Sequence, residues 1–424
     1  MRLVVTIACG VLLVSNFCVA QIVTGSISGA VQDASSLPVP GADVTLTQTG
    51  TGLVRATSTD VMGAFLFTGL EAGEYSLTIT KTGFKRLESR SLRLVSGQRL
   101  AAGTFTLEVG TTADTVTVRA ESAPVQTQSA ERASVVISSQ IEGLLIKGRN
   151  PTSLVGLLPG VVVVQETSSL DRDTNFNVSG NRRTANNVTI DGVPTVDLDN
   201  GFSQKLQINM DAVSEVHVLL TNYQAEYGRN AGSNVNIISK SGGREFHGMA
   251  SYFKRHEQFN ATNFFDNQRG QQKPRYRFNT WTYNLGGPIA FGGINRDRDK
   301  LFFFWSQEFW PITSGVAGTV TMPTALERAG DFSQSRDVND ALITIRDPLI
   351  RQPFAGNRIP ASRLDPSGLA LLKAFDAPNF FDRAISRGNY NYVFNAEVHA
   401  PKRSDLAKVD WNINPKNQVY VTYT

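Results

Sequence analysis

Short runs of alternating apolar and polar residues recur through residues 21–109. Five of them have the alternation of strands that turn one apolar face toward a core, namely Ser26–Val31, Ala42–Thr47, Gly63–Thr68, Tyr75–Thr80 and Ser91–Val95. Gly and Pro residues separate the runs, as turns require. Regular short strands with this punctuation are typical of a sandwich, so we expect residues 21–109 to form one and Gln21–Glu108 to fold without the rest of the chain.

The aromatic residues of this region have two interpretations. Phe65 and Phe67 are two residues apart, so both lie on one face of a strand, and Tyr75 opens a later strand. They are either a face that stacks on sugar rings or part of the sandwich core. Because buried aromatics dominate such cores, the pattern favours the second interpretation.

Residues 110–131 are rich in Thr, Ala, Ser and Gln and carry little apolar surface, so they indicate an extended linker. Inside the linker, Asp114–Ala120 alternates Val116 and Val118 with polar residues. The alternation is that of a strand, and one more strand of the sandwich is one interpretation of it.

Residues 132–243 have a mixed pattern. Two short helices are expected, one that follows Ser138, Ser139 and Gln140 and one capped by Asn150 with a proline at its first position. The apolar run Val161–Val164 is expected to be a buried strand. Gly228, Gly232 and Gly242 lack the lysine and spacing of a phosphate-binding loop, so tight turns explain them better.

After residue 243 the apparent strands become longer. Glu245–Arg255, Arg275–Gly287 and Lys300–Ile312 are each about ten residues, the length that a tilted strand needs to cross a bilayer. Within the second run, apolar residues alternate with polar ones, as in a strand between lipid and a lumen. A cluster of aromatic residues is suited to an interfacial girdle, with a soluble core strand as the alternative: Phe302, Phe303, Phe304, Trp305, Phe309 and Trp310.

The segment from Pro311 to about Ser404 is rich in Pro, Asn and Asp, and the connection at residues 313–404 is expected to be a long loop without regular structure. Two further strands flank the turn Asn414–Asn417. Together with the three runs above, they bring the number of predicted strands after residue 243 to five. A membrane barrel needs at least about eight strands to close, so we expect residues 244–424 to be the first part of a truncated barrel that cannot transport by itself.

Composition and motif content exclude several classes of function. Residues 1–20 have one basic residue before an apolar run that ends in small residues, the pattern of a signal peptide. Both cysteines, Cys9 and Cys18, lie inside it, so the exported protein is expected to have no thiol chemistry. The net charge is only +4, with no basic stripe, so nucleic acid is not an expected partner. We find no catalytic constellation, metal-ligand spacing or cofactor motif, and expect neither an enzyme nor a cofactor.

Several ordered motifs resemble the Oar-like group of TonB-dependent outer-membrane transporters. That group has a segment SGxRxxxNNxxIDGVP, then DAVSEVxVxxxxYxAEYGR, then SKSG and FHG before the first barrel strand. The matching residues here are Ser179, Gly180, Arg182, Asn186, Asn187, Ile190–Pro194, Asp211–Val216, Ala225–Arg229, Ser239–Gly242 and Phe246–Gly248. Residues 21–109 similarly resemble a carboxypeptidase regulatory-like domain, an Ig-like sandwich of the carbohydrate-binding-like folds.

The resemblance implies a mostly β chain with a sandwich, a mixed α+β plug domain at residues 132–243 and an incomplete transmembrane β-barrel. It implies an outer-membrane location, lipid contact, a large solute or glycan, and an inner-membrane TonB-type partner. That partner would capture a TonB box formed by Asp114, Thr115, Val116, Thr117, Val118, Arg119 and Ala120.

Within the plug, Arg182, Arg183, Asn186, Asn187 and Asp191 are candidates for the substrate path. The alternative is that they hold the plug's own loops by hydrogen bonds. At the level of function, the alternative is a secreted or surface-attached carbohydrate-binding protein without transport activity.

Overall fold

The computed structural model describes residues 24–112, 115–119, 130–164, 175–196, 206–224, 227–228, 230–268, 271–291, 293–415 and 417–424. The chain divides into two compact units. The first comprises residues 1–251, 281–308 and 403–424, and the second comprises residues 252–280 and 309–402.

Two sheets form the sandwich at the start of the chain. Its strands β1 to β8 are Gly25–Asp33, Asp43–Gln48, Val54–Ser58, Ala64–Leu70, Gly73–Thr80, Arg86–Leu94, Arg99–Leu107 and Thr115–Arg119. One sheet has the order β4-β1-β7 and the other the order β3-β2-β5-β6-β8. Phe65, Phe67 and Tyr75 are 4–5% exposed and belong to the apolar cluster between the sheets. The core interpretation of these aromatics is therefore confirmed.

The pattern of apolar and polar residues did not predict two strands of the sandwich, and each has a physical reason. Strand β3 lies at a sheet edge and buries none of its residues, so it lacks an apolar face. Strand β7 contains Gly103 at φ 86°, where its register against β1 shifts. A bulge of this kind breaks the alternation by which a strand is recognised.

The next part of the chain is a mixed domain. Its strands β9 to β15 are Arg132–Ile137, Val161–Val164, Asn175–Val178, Asn187–Ile190, Val193–Pro194, Val213–Thr221 and Asn234–Ser239. Five of them form a sheet with the order β13-β12-β15-β14-β9. An α-helix, Ser138–Gly143, and a 3₁₀ helix, Pro151–Leu157, follow β9, and the Asn150 side chain caps the second helix as expected.

The expectation of a buried strand at Val161–Val164 is only half right. The strand exists, but it pairs with β11 alone in a two-stranded sheet, and Val162 is 65% exposed. A run of valines has the same sequence signature whether one or both faces of its strand are covered, so periodicity could not decide its burial.

Five longer strands, β16 to β20, form a sheet in sequential order. They are His247–Arg255, Tyr276–Pro288, Leu301–Val320, Tyr392–Asn414 and Asn417–Tyr423. Among the described residues β16 and β20 are the two edges of this sheet. In β17 the polar residues Thr282 and Asn284 are buried while Trp281 and Leu285 are 44% exposed, which agrees with the predicted alternation.

The girdle prediction is wrong for part of the aromatic cluster. Phe302 and Phe304 are fully buried, and Phe304 packs into the apolar core of the mixed domain. Trp305 points to the other side and is 37% exposed. Consecutive residues of a strand face opposite sides, so a run of four aromatics cannot all meet the lipid interface.

The expectation of one structureless loop over residues 313–404 is also wrong. Strand β18 continues to Val320, β19 begins at Tyr392, and the residues between them include short helices: Ala325–Arg328, Ala355–Asn357, Ala361–Arg363, Pro366–Leu372 and Arg383–Ser386. The Thr324, Asp365 and Asp382 side chains cap three of these helices. Local caps and turns replace a large core here, which apolar periodicity does not reveal.

Polar contacts within this segment hold its turns. Asn357 accepts the Ile345 N–H at 2.7 Å and donates to the carbonyls of Phe332 and Ile343 at 2.6 and 2.8 Å. Arg363 binds both carboxylate oxygens of Asp347, at 2.7 and 3.1 Å, and this contact lowers the pKa of Asp347.

None of the described helices has the length and apolar character needed to span a membrane.

Candidate functional site: the plug sheet and the strands beside it

The central sheet of the mixed domain has one apolar and one polar face. Val136, Val216, Ile237 and Ile190 are register partners across four strands, and all belong to the apolar core. One residue further along, His217, Asn236 and Thr189 are also register partners, and side chains of directly paired residues share a face. These three polar side chains are all at most 7% exposed. The domain therefore buries a polar surface as well as an apolar one.

Asn186, a candidate for the substrate path, holds two loops of this domain together. Its Nδ2 donates to the Phe176 carbonyl at 2.8 Å. Its Oδ1 accepts the backbone N–H and the hydroxyl of Ser233 at 3.1 and 3.0 Å. Gly232 leaves room for this contact, since a β-carbon there would lie 2.7 Å from Asn186 Oδ1. Every polar atom of the Asn186 amide group thus has a partner inside the domain.

Asn187 and Asp191 also make contacts within the sheet. Asn187 Nδ2 donates to Asn234 Oδ1 at 3.2 Å. The carboxylate of Asp191 accepts the Ser239 N–H at 2.9 Å and its hydroxyl at 2.5 Å. Asp191 has a φ of 47°, so it turns the chain sharply after β12.

Arg182 and Arg183 lie at the surface beside a short 3₁₀ helix, Arg183–Ala185. Their side chains are exposed, whereas Asn186 and Asp191 are buried. The structure therefore does not gather the five candidates into one site. Hydrogen bonds within the domain account for Asn186, Asn187 and Asp191, and a role in a substrate path stays a prediction for all five.

A buried ion pair that sequence reasoning missed joins Arg149 to Asp211. Arg149 Nη2 is 2.5 Å from Asp211 Oδ1, and both side chains are about nine-tenths buried. Arg149 ends the short 3₁₀ helix Lys147–Arg149 and has a φ of 53°. The segment Asp211–Val216 was already a matched motif, but no pairing rule connects residues 149 and 211 in the sequence.

Around this pair, the domain contacts the strands of the longer sheet through polar groups. Asn209 Nδ2 donates to the Ser306 hydroxyl at 2.6 Å, and the Ser251 hydroxyl donates to Asp211 Oδ2 at 2.7 Å. Asn284 Nδ2 reaches the Asp211 carbonyl at 3.3 Å. Asn209 also accepts the Asp211 N–H at 2.7 Å, which caps the short helix Met210–Ala212.

More contacts of this kind lie beyond β15. Lys408 Nζ is 3.4 Å from the Ser239 hydroxyl, and the Tyr420 hydroxyl donates to the Asp191 carbonyl at 3.3 Å. Lys408 also lies 5.1 Å from the Tyr420 ring centroid, which places its charge on an aromatic face. A cavity of about 140 Å³ opens beside these groups, and Glu71, Ser96 and Asp410 also line it.

Two titratable groups are buried next to each other on β14. Burial raises the pKa of the Glu215 carboxyl, an effect that the Ser96 N–H and the charge of Arg93 partly offset. Burial lowers the pKa of His217 to about 4, and its Nδ1 is without a hydrogen-bond partner among the described residues. His217 is therefore neutral in the folded protein at physiological pH.

The stability of the domain should fall in acid because of His217. Its pKa is depressed on folding, so below its ordinary value of 6.5 the unfolded chain takes up a proton that the folded chain does not. We expect the wild type to lose about 2 kcal/mol more than His217→Gln between pH 8 and pH 5. Urea unfolding of both proteins at each pH measures this difference, and Glu215, which acts in the opposite direction, is common to both. Equal losses would show that His217 is not buried as a neutral group.

The candidate TonB box is a strand of the sandwich in the structure. Thr115–Arg119 is β8, which pairs in parallel with β6 at the end of the five-stranded sheet. This is the alternative that the sequence left open. Asp114 and Ala120, the two ends of the candidate, lie outside the described residues. Capture of this segment by a partner stays a prediction.

No group of three or more His, Cys, Asp or Glu side chains in the described part of the chain is placed to hold a metal ion. The arrangement instead offers a sheet domain fixed to neighbouring strands by many separate hydrogen bonds. These contacts form a packed and partly polar junction between the mixed domain and those strands.

Three family models together match most of the chain. Residues 26–108 match the carboxypeptidase regulatory-like domain, residues 125–235 the TonB-dependent receptor plug domain, and residues 238–424 the outer membrane beta barrel domain. The TonB-dependent transporter Oar of Myxococcus xanthus is 27% identical over 325 residues, which are 71% of this chain and 28% of that protein.

Among solved structures, similarity was found to the outer membrane transporter YddB from Escherichia coli and to a mutant of the ferric enterobactin receptor PfeA from Pseudomonas aeruginosa. The first is 12% identical, with a TM-score of 0.40, over 66% of this chain and 31% of that chain. The second is 15% identical, with a TM-score of 0.36, over 69% of this chain and 32% of that chain. The chain spans less than a third of the length of each of these relatives.

The mixed domain is thus the plug, and the longer sheet belongs to an outer-membrane barrel domain. The matched plug and barrel domains place the protein in the outer membrane. From the matched domains and their order, the chain has the domain arrangement of a TonB-dependent outer-membrane transporter and resembles the Oar-like members of that family.

Proposed function

We propose that this chain is the plug-bearing part of a transporter that moves a large solute across the outer membrane, using energy delivered by an inner-membrane TonB-type protein. The matched plug and barrel domains and the similarity to the Oar transporter support the proposal. The observation that carries it is the polar junction between the plug and the barrel strands, because a plug that must move needs contacts that can be broken and remade.

The strength of that junction is consistent with movement. The Asn209–Ser306 hydrogen bond joins neutral groups and has a net stabilisation of about 0.5–1.5 kcal/mol. Asp211–Ser251 and Lys408–Ser239 each include a charged group, for which the net stabilisation is about 1.5–3 kcal/mol. From the barrel strands, only Phe304 and Leu406 among the described residues join the apolar core of the plug. Polar contacts between domains allow relative motion far more readily than a large apolar interface does.

Ser306 offers a test that does not require the solute to be known. It is 1% exposed and in contact with Asn209, so a thiol at this position is shielded while the plug is in place. We expect Ser306→Cys to react with a membrane-impermeant maleimide in energised cells that contain the transducer. Labelling should fall when an uncoupler collapses the proton gradient.

The matched control is Val316→Cys on the same strand, which is 60% exposed and should react in either state. Equal labelling of Ser306→Cys with and without the gradient would contradict energised movement of the plug. The variant is close to isosteric with the native serine, so it should leave the fold intact.

A proline at residue 118 should abolish capture by the transducer. A captured strand contributes backbone donors, and Val118→Pro removes one N–H and fixes φ, whereas Thr117→Ser keeps the backbone unchanged. We expect cross-linking to the transducer to be lost in Val118→Pro and retained in Thr117→Ser. If the proline variant cross-links as well as the wild type, Thr115–Arg119 is not the captured segment.

A secreted carbohydrate-binding role gains no support from the sandwich. The aromatics that would have stacked on sugars, Phe65, Phe67 and Tyr75, are buried in its core. The Tyr75 hydroxyl donates to the Glu71 carbonyl at 2.8 Å, so its polar end is occupied as well.

A further inference from the structure

Strand β8 uses only one of its two edges in the described part of the structure. Its inner edge pairs with β6 at five consecutive register positions, from Arg86 opposite Thr115 to Arg90 opposite Arg119. Its outer edge has no neighbouring strand there, because β8 ends the order β3-β2-β5-β6-β8. An unpaired strand edge presents a row of N–H and C=O groups, which is the surface that an incoming strand recognises.

The strand that holds β8 leads directly to the plug. β6 ends at Leu94, and the tight turn that follows closes with a hydrogen bond from the Gln98 N–H to the Val95 carbonyl. At the tip of this turn, the Ser96 N–H donates to Glu215 Oε1 at 2.8 Å. Ser96 and Glu215 are 3% and 4% exposed, so this bond is fully buried.

Two other contacts of the sandwich with this part of the chain are single polar ones. Arg99 Nη2 donates to Gln224 Oε1 at 2.9 Å, and the Arg244 N–H donates to the Gly50 carbonyl at 3.1 Å. By contrast, β8 is joined to β6 by a continuous ladder, and β6 lies within the closed sandwich core. A ladder shares load among several bonds, whereas the contacts with the plug can break one at a time.

We propose that the sandwich acts as a handle on the plug, and this proposal rests on the function proposed above. The transducer adds its strand to the free outer edge of β8 while β8 stays paired with β6. Force applied to β8 then moves the sandwich as one body, and this movement releases the bond between Ser96 and Glu215. The force that follows capture is therefore transmitted to the plug through the sandwich as well as along the connecting chain.

A reversible disulfide between β6 and β8 tests the handle. Glu88 and Thr117 are register partners, Glu88 is half-buried and Thr117 is exposed, so cysteines at both positions face each other outside the core. The matched control joins Thr45→Cys to Ala56→Cys, which are register partners of β2 and β3 at the opposite edge. The probe is the purified periplasmic domain of the transducer, added to the full chain in detergent.

We expect Glu88→Cys/Thr117→Cys to bind the probe equally well when oxidised and when reduced, as the control pair does. Hydrogen exchange of the Ser96 amide should rise by about tenfold when the probe binds, because its buried hydrogen bond is lost. Capture by the reduced form but not by the oxidised form would overturn the handle, since β8 would then have to leave β6.

Three other outcomes would each contradict a different part of the proposal. Unchanged exchange at Ser96 on binding would overturn the proposed route to the plug while leaving the transducer as partner. Failure of both reduced and oxidised forms to bind would overturn the partner itself, and with it the handle. Cross-linking of two copies of this chain through β8 would show that the free edge serves self-association, which also overturns the proposal.

Discussion

Arg149→Met should lower the free energy of unfolding of the plug by about 3–5 kcal/mol, because it leaves the Asp211 carboxylate buried without its counter-charge. Asp211 is 8% exposed, and Arg149 Nη2 is 2.5 Å from its Oδ1. The hydroxyl of Ser251 is its other side-chain partner at 2.7 Å, and a neutral donor does not replace a guanidinium. Urea unfolding of the solubilised chain, followed by a probe in the plug, measures the change.

Arg182→Met is the matched control for this prediction. It removes the same charge and shape from the same domain, but Arg182 is exposed, so we expect a change within about 0.5 kcal/mol. If the two variants unfold alike, Asp211 is not held as a buried anion. The double variant Arg149→Met with Asp211→Leu should recover part of the loss, because removing both charges of a buried pair costs less than removing one.

Phe67→Ala should lower the stability of the sandwich by about 3–5 kcal/mol, the cost of emptying a buried aromatic site. Phe67 is 5% exposed, and its ring lies 6.1 Å from that of Phe65 in an edge-to-face arrangement. The experiment uses the fragment Gln21–Arg119, which includes β8 and should unfold cooperatively as an independent sandwich. Thermal unfolding followed by circular dichroism compares the variant with the native fragment.

The preceding residue supplies the control. Leu66 belongs to the same strand but faces solvent with 58% exposure, so Leu66→Ala should change stability by no more than about 0.5 kcal/mol. A fragment that unfolds without cooperativity would show instead that the sandwich depends on the plug. If Phe67→Ala loses sugar binding while its stability is unchanged, the glycan-stacking interpretation would be correct.

Strand alternation made several features predictable. It located most sandwich strands, placed Phe65 and Phe67 in one core, and separated the two faces of β17. It failed where the alternation is interrupted by a bulge, as at Gly103, or where both kinds of face give the same pattern, as at Val161–Val164. The aromatic cluster suggested an interfacial girdle, with a core strand as the alternative, and the structure buries two of its members, Phe302 and Phe304.

The contacts of the candidate substrate-path residues could not be predicted from the sequence. Motif matching singled out Asn186, Asn187 and Asp191, yet their partners Ser233, Asn234 and Ser239 are more than forty positions away in the sequence. Two roles, substrate path and loop support, stayed open for these residues, because residue type does not specify what a side chain contacts. The structure satisfies them within the plug.

By itself, the sequence determined the class of the chain, since periods of two residues, turn residues and ordered family motifs are local properties that survive without a partner. The tertiary structure alone decided which polar groups meet. Arg149 with Asp211, Ser96 with Glu215 and β6 with β8 are contacts between distant segments. The energy of a buried charge or an unpaired strand edge depends on what the folded chain places beside it, and no local pattern encodes that.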